Sequence, residues 1–468
     1  MNAPQQDTER TRRPPLVRGR GRNLVRRLRD SIRFYEKLHR DHGPIVRYRV
    51  LHLEVCGLFD AELIREVLDE QRDAFDKGRA LQLSRGISNP TVITASGAEH
   101  RRRRRLIQPF FHRTALDRYV STIVHRAAAR RDAWHEGTAV DICSEIRELV
   151  TDIAIGVFFG DGIDVDADDL ESAAEYVQWD FAMTLVPGYR AIERLPWPYL
   201  RRLRRAGRVI DDKIREAIRR ASDDGPAACN LISLLVHTQN EEGGGRAFND
   251  SEVRDETLVL LLASQETLKS SLCWCFYQLG RNPHARDRMI EEIDNVLGTR
   301  PATPDDFADL VYTSAVFDET LRLCPPVYLV PRTAARDVVI GGYFLPKGTN
   351  LQICWLAPHK DGRYFPDPDR FLPERWLGDV PERPKYAYGP FGGGSRACPG
   401  DLYARMTAVY VLATITQRWR LDLAAERPPK YQSLVVYAIS GGLAATPVAR
   451  AARPRLVQSP TRLRQSLS

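Results

Sequence analysis

From Asp250 to Gly280 the sequence sustains a helical pattern for about thirty residues, a rod of ~45 Å at 1.5 Å per residue. Asn249 and Glu252 form a capping box at its start, and Gly280 and Pro283 end it. The stretch LVLLLA is apolar on every face, so that half of the helix belongs inside the protein. Ser264, Gln265, Glu266 and Thr267 then interrupt it, between Ala263 and Leu268. Four consecutive residues cover every face of a helix, so at least one of these polar side chains points inward, where it is costly unless hydrogen-bonded. A break of this kind marks a candidate site, which a merely solvated face would not explain.

The flanking patterns set the architecture. Leu24, Leu28, Ile32, Tyr35 and Leu38 recur at helical spacing up to Gly43-Pro44. Val46, Tyr48 and Val50 alternate with Arg47 and Arg49, and HLEVCGLF follows, which predicts a short antiparallel sheet. Helical patterns run from Asp60 to about Leu323. Strands and proline-rich loops take over beyond Pro325, until a helix from about Pro399 to Arg418 and a closing hairpin in YQSLVVYAISGGLAATPV. The predicted fold is mainly α with small antiparallel β-sheets, α+β by segregation, in one large domain over residues 23–449. Residues 1–22 and 450–468 are polar and basic and read as a disordered arm and tail.

The formal charge is +8, but 61 acidic residues offset 69 basic ones, so the basicity is local. Its densest point is the run Arg101–Arg105, which alone could be a solvated face, a nucleic-acid patch or a membrane contact. Without interleaved aromatics or a nucleic-acid-binding fold, the second reading is set aside. The N-terminus has no apolar signal region, and the apolar runs fall short of the ~18 residues that a membrane span needs, so a cytoplasmic enzyme is expected. Eight irregularly spaced cysteines do not form a disulfide framework; Cys273 and Cys275 sit in an apolar helical pattern and read as core.

Cys398 stands apart, because FGGGSRACPG surrounds it with glycines, an arginine two positions before it and a proline just after. Glycines let consecutive backbone N–H groups turn toward one point. Pro399 suits the first position of the following helix, so the sulfur would lie at a helix N-terminus that favours its thiolate. The loop lacks the Lys-Ser/Thr ending of a phosphate-binding loop. A buried structural cysteine would leave Arg396 unexplained. A metal-ligating thiolate beside a cation that meets the anionic groups of the same cofactor accounts for both, and haem b fits: iron takes the sulfur and the arginine meets a propionate.

Phe391, Gly394, Arg396, Cys398 and Gly400 satisfy F-x-x-G-x-R-x-C-x-G, which resembles the haem-binding signature of the cytochrome P450 superfamily. The resemblance extends over about residues 24–447. It implies that Glu319 and Arg322, three apart on one helix face, join Arg375 in a structural lock on the haem-side core. It puts Ala263, Gln265, Glu266 and Thr267 in register with the oxygen-activating segment, where Glu266 and Thr267 would be catalytic and deliver protons. Ser264 and Leu268 depart from that pattern. It also implies that His100, Arg104 and Arg332 reach haem propionates. The remaining arginines of the run, Arg102 and Arg103 among them, are expected to face outward and help dock an acidic partner.

The expected activity is that of a haem-thiolate monooxygenase of soluble bacterial type. It would insert one atom of O₂ into an apolar small molecule, terpenoid, fatty or polyketide-like, with NAD(P)H electrons arriving through a separate ferredoxin or flavodoxin and its reductase. The substrate pocket implied by the resemblance takes in Ala263, Ser264, Val327, Val330 and Ile439, with the segments from Leu83 to Val92 and around Phe181. Two other readings stay open. One is a haem-thiolate enzyme that uses peroxide or performs rearrangement, coupling or desaturation, motivated by Ser264. The other is a haem-binding sensor or carrier, for which Glu266 and Thr267 would have no purpose.

Overall fold

The computed structural model describes residues 12–50, 52–78, 90–160, 163–183, 197–225, 230–239, 247–379, 381–424, 427–433 and 435–451. The segments from Leu83 to Asn89 and around Phe181, expected near the substrate, lie outside the residues whose side chains are described.

The main helices are α1 (Arg20–Arg29), α2 (Ser31–His42), α3 (Gly97–Ile107), α4 (Val120–Asp132), α5 (Ile142–Phe158), α6 (Ala167–Met183), α7 (Pro198–Asp224), α8 (Leu231–His237), α9 (Asp250–Arg281), α10 (Pro283–Val296), α11 (Val311–Leu323) and α12 (Asp401–Arg418). The capping box at Asn249 and Glu252 forms as expected and fixes the start of α9. Helices α5, α7, α11 and α12 pack round α9, which carries most of its side chains into one large apolar core, Cys273 and Cys275 included. The single predicted helix before Gly43 is instead two. Asp30 leaves helical geometry and caps α2, its carboxylate accepting the Arg33 N–H at 3.0 Å.

The main sheet holds β1 (Leu16–Val17), β2 (Ile45–Val50), β3 (Leu53–Leu58), β4 (Phe75–Lys77), β5 (Leu329–Ala334) and β6 (Asn350–Cys354), in the order β1-β2-β3-β6-β5-β4. Three findings depart from expectation. The sheet is mixed, not purely antiparallel: β1 runs parallel to β2, and β3 parallel to β6. A parallel neighbour needs a long connection, and here β6 returns after nearly the whole helical region has intervened. Residues 12–22 are also ordered, within the stretch expected to be a free arm. Arg47 donates its backbone N–H to the Pro15 carbonyl (2.8 Å) and its Nε to that of Pro14 (2.9 Å), while Phe344 N–H reaches the Arg12 carbonyl at 2.8 Å. Backbone pairing of this kind is blind to side-chain polarity. The closing hairpin is split as well: Tyr431–Gln432 pairs with Ala438–Ile439, whereas Ala444–Ala449 pairs back on Trp419–Leu423.

Candidate functional site

The polar break in α9 resolves residue by residue. Gln265 is the side chain turned inward, buried against α5, where its Oε1 accepts from Thr151 Oγ1 (3.3 Å) and its Nε2 donates to the Val150 carbonyl (3.3 Å). Ser264 Oγ donates to the Leu261 carbonyl and Thr267 Oγ1 to that of Ala263, both at 2.8 Å, so each hydroxyl is satisfied by its own helix. Glu266 pairs with Lys269 at 2.7 Å, and Lys269 with Glu171 at 3.1 Å. Burial works against the Lys269 charge, but Glu266 and Glu171 outweigh it and hold the ammonium above its usual pKa. Leu268 goes into the core. Ala263 is exposed, although it lies midway along a helix whose other apolar side chains are mostly buried. An exposed alanine there means open space beside the helix. Thr267, four residues on, shares that face; Glu266 is turned about 100° from it.

In the cysteine loop, residues 394–396 form one 3-10 turn, and helix α12 begins only at Asp401, so Pro399 precedes the helix where it was expected to open it. The Cys398 N–H donates to the Phe391 carbonyl at 2.8 Å. Gly394 has φ +64°, and a Cβ there would lie 2.6 Å from the Leu68 carbonyl oxygen; at Gly393 it would lie 2.2 Å from the Tyr386 ring. Both positions therefore exclude a side chain, which presses the loop onto the segment before β4. Phe391 carries the Arg405 guanidinium over its ring, and a Cβ at Gly400 would approach the Phe111 ring and the Cys398 sulfur. Cys398 alone among the described cysteines is exposed, and the others are buried or half-buried. The sulfur opens on one side while its loop encloses the rest. Burial consequently raises the thiol pKa, with the Gly400 N–H and Arg104 acting in the opposite direction. In the chain alone the helix terminus does not outweigh burial, contrary to expectation; a cation bonded to the sulfur would be what makes it a thiolate.

The expected cofactor-binding cations do converge. Arg104 donates Nη1 to the Ala397 carbonyl beside the cysteine (2.6 Å) and Nε to Gln108 (2.8 Å). Arg396 reaches the Ala95 carbonyl at 2.9 Å, and Arg332 bonds the carbonyl of Pro331 at 2.9 Å. His100 is buried next to them. Burial, then the charge of Arg396, lowers Arg332 to about 10; for His100 burial leads too, followed by Arg396, Lys77 and Arg104, and it falls to about 4. Lys77 is the member that sequence reasoning missed. It sits directly opposite Arg332 in the β4–β5 register, is buried, and is pulled down to about 7 by burial and by Arg396. Like charges facing each other across strands are destabilising unless an anion lies between them. The one sequence signal for Lys77 is its rarity in an arginine-rich chain.

Behind the loop, Glu319 and Arg322 are fully buried. The Glu319 carboxylate takes Arg322 Nε and Nη2, Arg375 Nε and the Leu372 N–H, all at 2.9 Å, and Trp376 Nε1 at 3.0 Å. Arg322 spends its remaining donors on the carbonyls of His359, Pro368 and Arg370. Every polar atom of this buried trio is used.

The arginine run is a correction. Arg103 is 2% exposed and pairs with Glu99 (2.5 Å), Glu252 (2.6 Å) and the fully buried Glu256 (3.0 Å). Arg102 pairs with Glu99 and reaches the Ala247 carbonyl. Only Arg101 and Arg105 are exposed. The run is a helix whose third turn-face closes onto α9, because α9 carries Glu252 and Glu256 four apart on the facing side. Glu256 also accepts the Val92 N–H at 3.0 and 3.1 Å, tying down the end of the segment that precedes α3.

Among the expected pocket residues, Val327 is 37% exposed. Val330 stands opposite Ile353 and packs into the sheet-side core. Ile439 lies on the short strand pair that packs on α9 through Ser270 and Trp274, both bonded to the Tyr437 carbonyl. Among the described residues no group of three or more His, Cys, Asp and Glu could hold a bare metal ion. No described helix is long and apolar enough to cross a membrane.

The comparisons agree with this geometry. The family profile for Cytochrome P450 matches residues 21–441. A cyclooctat-9-en-7-ol 5-monooxygenase of Streptomyces melanosporofaciens is 34% identical over 386 residues, covering 81% of this chain and 83% of that protein. A pentalenene oxygenase of Streptomyces avermitilis is 31% identical over 390 residues, covering 82% and 85%. Among solved structures, retinoic-acid-bound cyanobacterial CYP120A1 superposes with a TM-score of 0.82 at 23% identity over 94% of this chain, and the haem domain of cytochrome P450DA with 0.83 at 22% over 94%. The fold and the site define a haem-thiolate protein. The chain belongs to the cytochrome P450 family and is a cytochrome P450 monooxygenase. The family's cofactor is haem, and the residues present fit it: one open sulfur for a metal that brings its own remaining donors, and the half-buried Arg104, Arg332 and Arg396 with the buried His100 and Lys77 for two carboxylates.

Proposed function

We propose that this protein oxygenates a cyclised terpenoid. One observation carries the site assignment: the exposed Cys398 and exposed Ala263 are accompanied by the half-buried guanidinium groups of Arg104, Arg332 and Arg396 with the buried His100 beside them, an open sulfur near positive charge held inside a protein. The terpenoid class is supported by the relatives, whose names describe oxidation of cyclooctatin precursors and pentalenene. Haem, when bound, supplies the reductive activation of O₂.

The chain's own residues do the rest. Cys398 ligates the metal, and the glycines of its loop keep side chains from the close backbone packing behind the sulfur. The cations hold the propionates, and Lys77 joins them. Ala263 leaves room for substrate on the open face of α9. Thr267 Oγ1 is the proton-bearing atom on that face. Glu266, held by Lys269, replenishes it by releasing the lysine and swinging toward bulk water. The relatives named as monooxygenases and oxygenases favour the monooxygenase over the peroxide-dependent reading. Electrons come from NAD(P)H through a ferredoxin or flavodoxin, for which Arg101 and Arg105 are the outward arginines of α3.

The test is spectral and then catalytic. The reduced protein exposed to carbon monoxide should give the red-shifted band of thiolate ligation, lost in Cys398→Ser. Polycyclic terpene hydrocarbons should shift the ferric Soret band and yield hydroxylated products with NADPH and a ferredoxin system. A normal band in Cys398→Ser would sink the site; turnover of fatty acids but not of terpenes would sink the substrate class.

A further inference from the structure

Away from the haem face, α6, α7 and α9 enclose a pocket of about 830 Å³. Its floor and wall are apolar: Leu258 and Leu262 from α9, Ala173 and the Tyr176 ring from α6. Its rim is cationic, with Arg201, Arg204, Arg205 and Arg208 from α7 and Arg254 from α9. Arg254, Leu258 and Leu262 follow one stripe of α9, whereas Ala263 and Thr267 occupy a stripe about 100° round the helix. The pocket and the haem face are therefore separated by the helix itself.

The distribution of charge along α7 argues against an ordinary solvated face. In its C-terminal half arginines alternate with acids and pair with them at i,i+4: Arg215 with Asp211 at 3.1 Å, Arg220 with Glu216 at 2.5 Å. In the N-terminal half the spacing i, i+3, i+4, i+7 stacks four arginines on one face, an arrangement that works against the helix. Asp211, the pocket's one acid, is already bridged by Arg254 and Arg215. Among the described residues no carboxylate forms an ion pair with Arg201, Arg205 or Arg208. Three guanidinium groups without a carboxylate partner among the described residues, those of Arg201, Arg205 and Arg208, line this cavity.

We propose that this pocket binds an anionic amphiphile, a phosphate or diphosphate ester of a prenyl or alkyl chain, with the hydrocarbon on Leu258 and Leu262 and the phosphate forked between arginines of α7. Several guanidinium groups match a group with more than one charge and several oxygens better than they match a single carboxylate. The volume lies within the ~300–1,000 Å³ of small-molecule sites. The headgroup is that of a free prenyl or alkyl phosphate; membrane lipids carry the same group, and the vesicle arm of the experiment separates the two.

Farnesyl monophosphate is titrated into the ferric holoenzyme by calorimetry, with farnesol and inorganic pyrophosphate in parallel and sedimentation with phosphatidylglycerol vesicles as a further arm. Farnesyl monophosphate should bind at least tenfold more tightly than either fragment, weaken with salt, and lose at least tenfold in Arg205→Ser/Arg208→Ser. Both arginines are exposed, so the double variant should keep its melting temperature and Soret band; Arg205→Lys/Arg208→Lys should retain most of the binding. Equal affinity for farnesol or for pyrophosphate would overturn the proposal. So would unchanged binding in the serine double variant, a Soret shift that persists in that variant and so reports the haem cavity, or association with vesicles alone. None of these outcomes depends on which substrate the haem face oxidises.

Discussion

Replacing Glu319 by alanine removes five hydrogen bonds at once and leaves Arg322, which is fully buried, and Arg375, which is 8% exposed at its side chain, without their carboxylate. Breaking one partner out of a buried ion pair costs about 3–5 kcal/mol, because the charge left behind cannot be rehydrated. Arg322 keeps three carbonyl acceptors, which holds the cost to that range. Against a total stability of about 5–15 kcal/mol this is a large fraction but not necessarily all of it. With an unfolding entropy of ~2.1 cal/mol/K per residue, a domain of ~430 residues has about 0.9 kcal/mol/K at its midpoint, so the loss corresponds to roughly 3–6 °C. The lock lies behind the cysteine loop: Trp376 donates to Glu319 and packs its ring, tilted, 4.5 Å from that of Tyr388, which bonds Asp318. The variant should therefore fold with a depressed melting temperature and purify with well under half the wild-type haem. Glu319→Gln keeps the shape and some hydrogen bonds and should fall between the two. Thermal melts and haem-to-protein ratios measure both effects. An alanine variant that melts within 1 °C of wild type with full haem would refute the reasoning.

Three further outcomes follow from named contacts. Arg103→Leu leaves the fully buried Glu256 without its cation and should cost about 3–5 kcal/mol, whereas Arg102→Leu, with its partner half in solvent, should cost no more than about 1 kcal/mol; urea midpoints that rank them equally would contradict the burial of Arg103. In the haem-free protein His100 titrates near 4, below its ordinary 6.5, and Lys77 near 7, below 10.5. The folded chain then binds fewer protons than the unfolded one across those windows, so apoprotein stability should rise with pH, from about 4 to 6.5 through His100 and from about 7 upward through Lys77. Reconstitution with haem should flatten the second rise, as should Lys77→Met; an apoprotein melt that is flat or falling from pH 7 to 9 would refute it. Thr267→Ala removes a hydroxyl bonded only within its own helix and should leave the melt within about 0.5 kcal/mol equivalent while lowering product formed per NADPH consumed by about 10²-fold or more; unchanged coupling would exclude Thr267 as the proton-bearing group.

What the chain alone determined is what depends on near neighbours. The capping box of α9, its polar break, the three-residue spacing of Glu319 and Arg322, and the glycines about Cys398 are local geometry, set by helical periodicity and by backbone that must come close to something. Each is legible because its partners lie within a few residues. Tertiary structure decided the rest. Which of the consecutive arginines is buried depends on Glu252 and Glu256 arriving from about 150 residues away. Lys77 joins the cation ring only because β4 pairs with β5 in one register. The mixed sheet and the ordered residues 12–17 rest on backbone pairing between distant segments, which side-chain patterns do not encode. Cys398 shows the same division: its position was written in the loop, but burial by groups brought together from the whole fold raises its thiol pKa against the pull of the Gly400 N–H and Arg104.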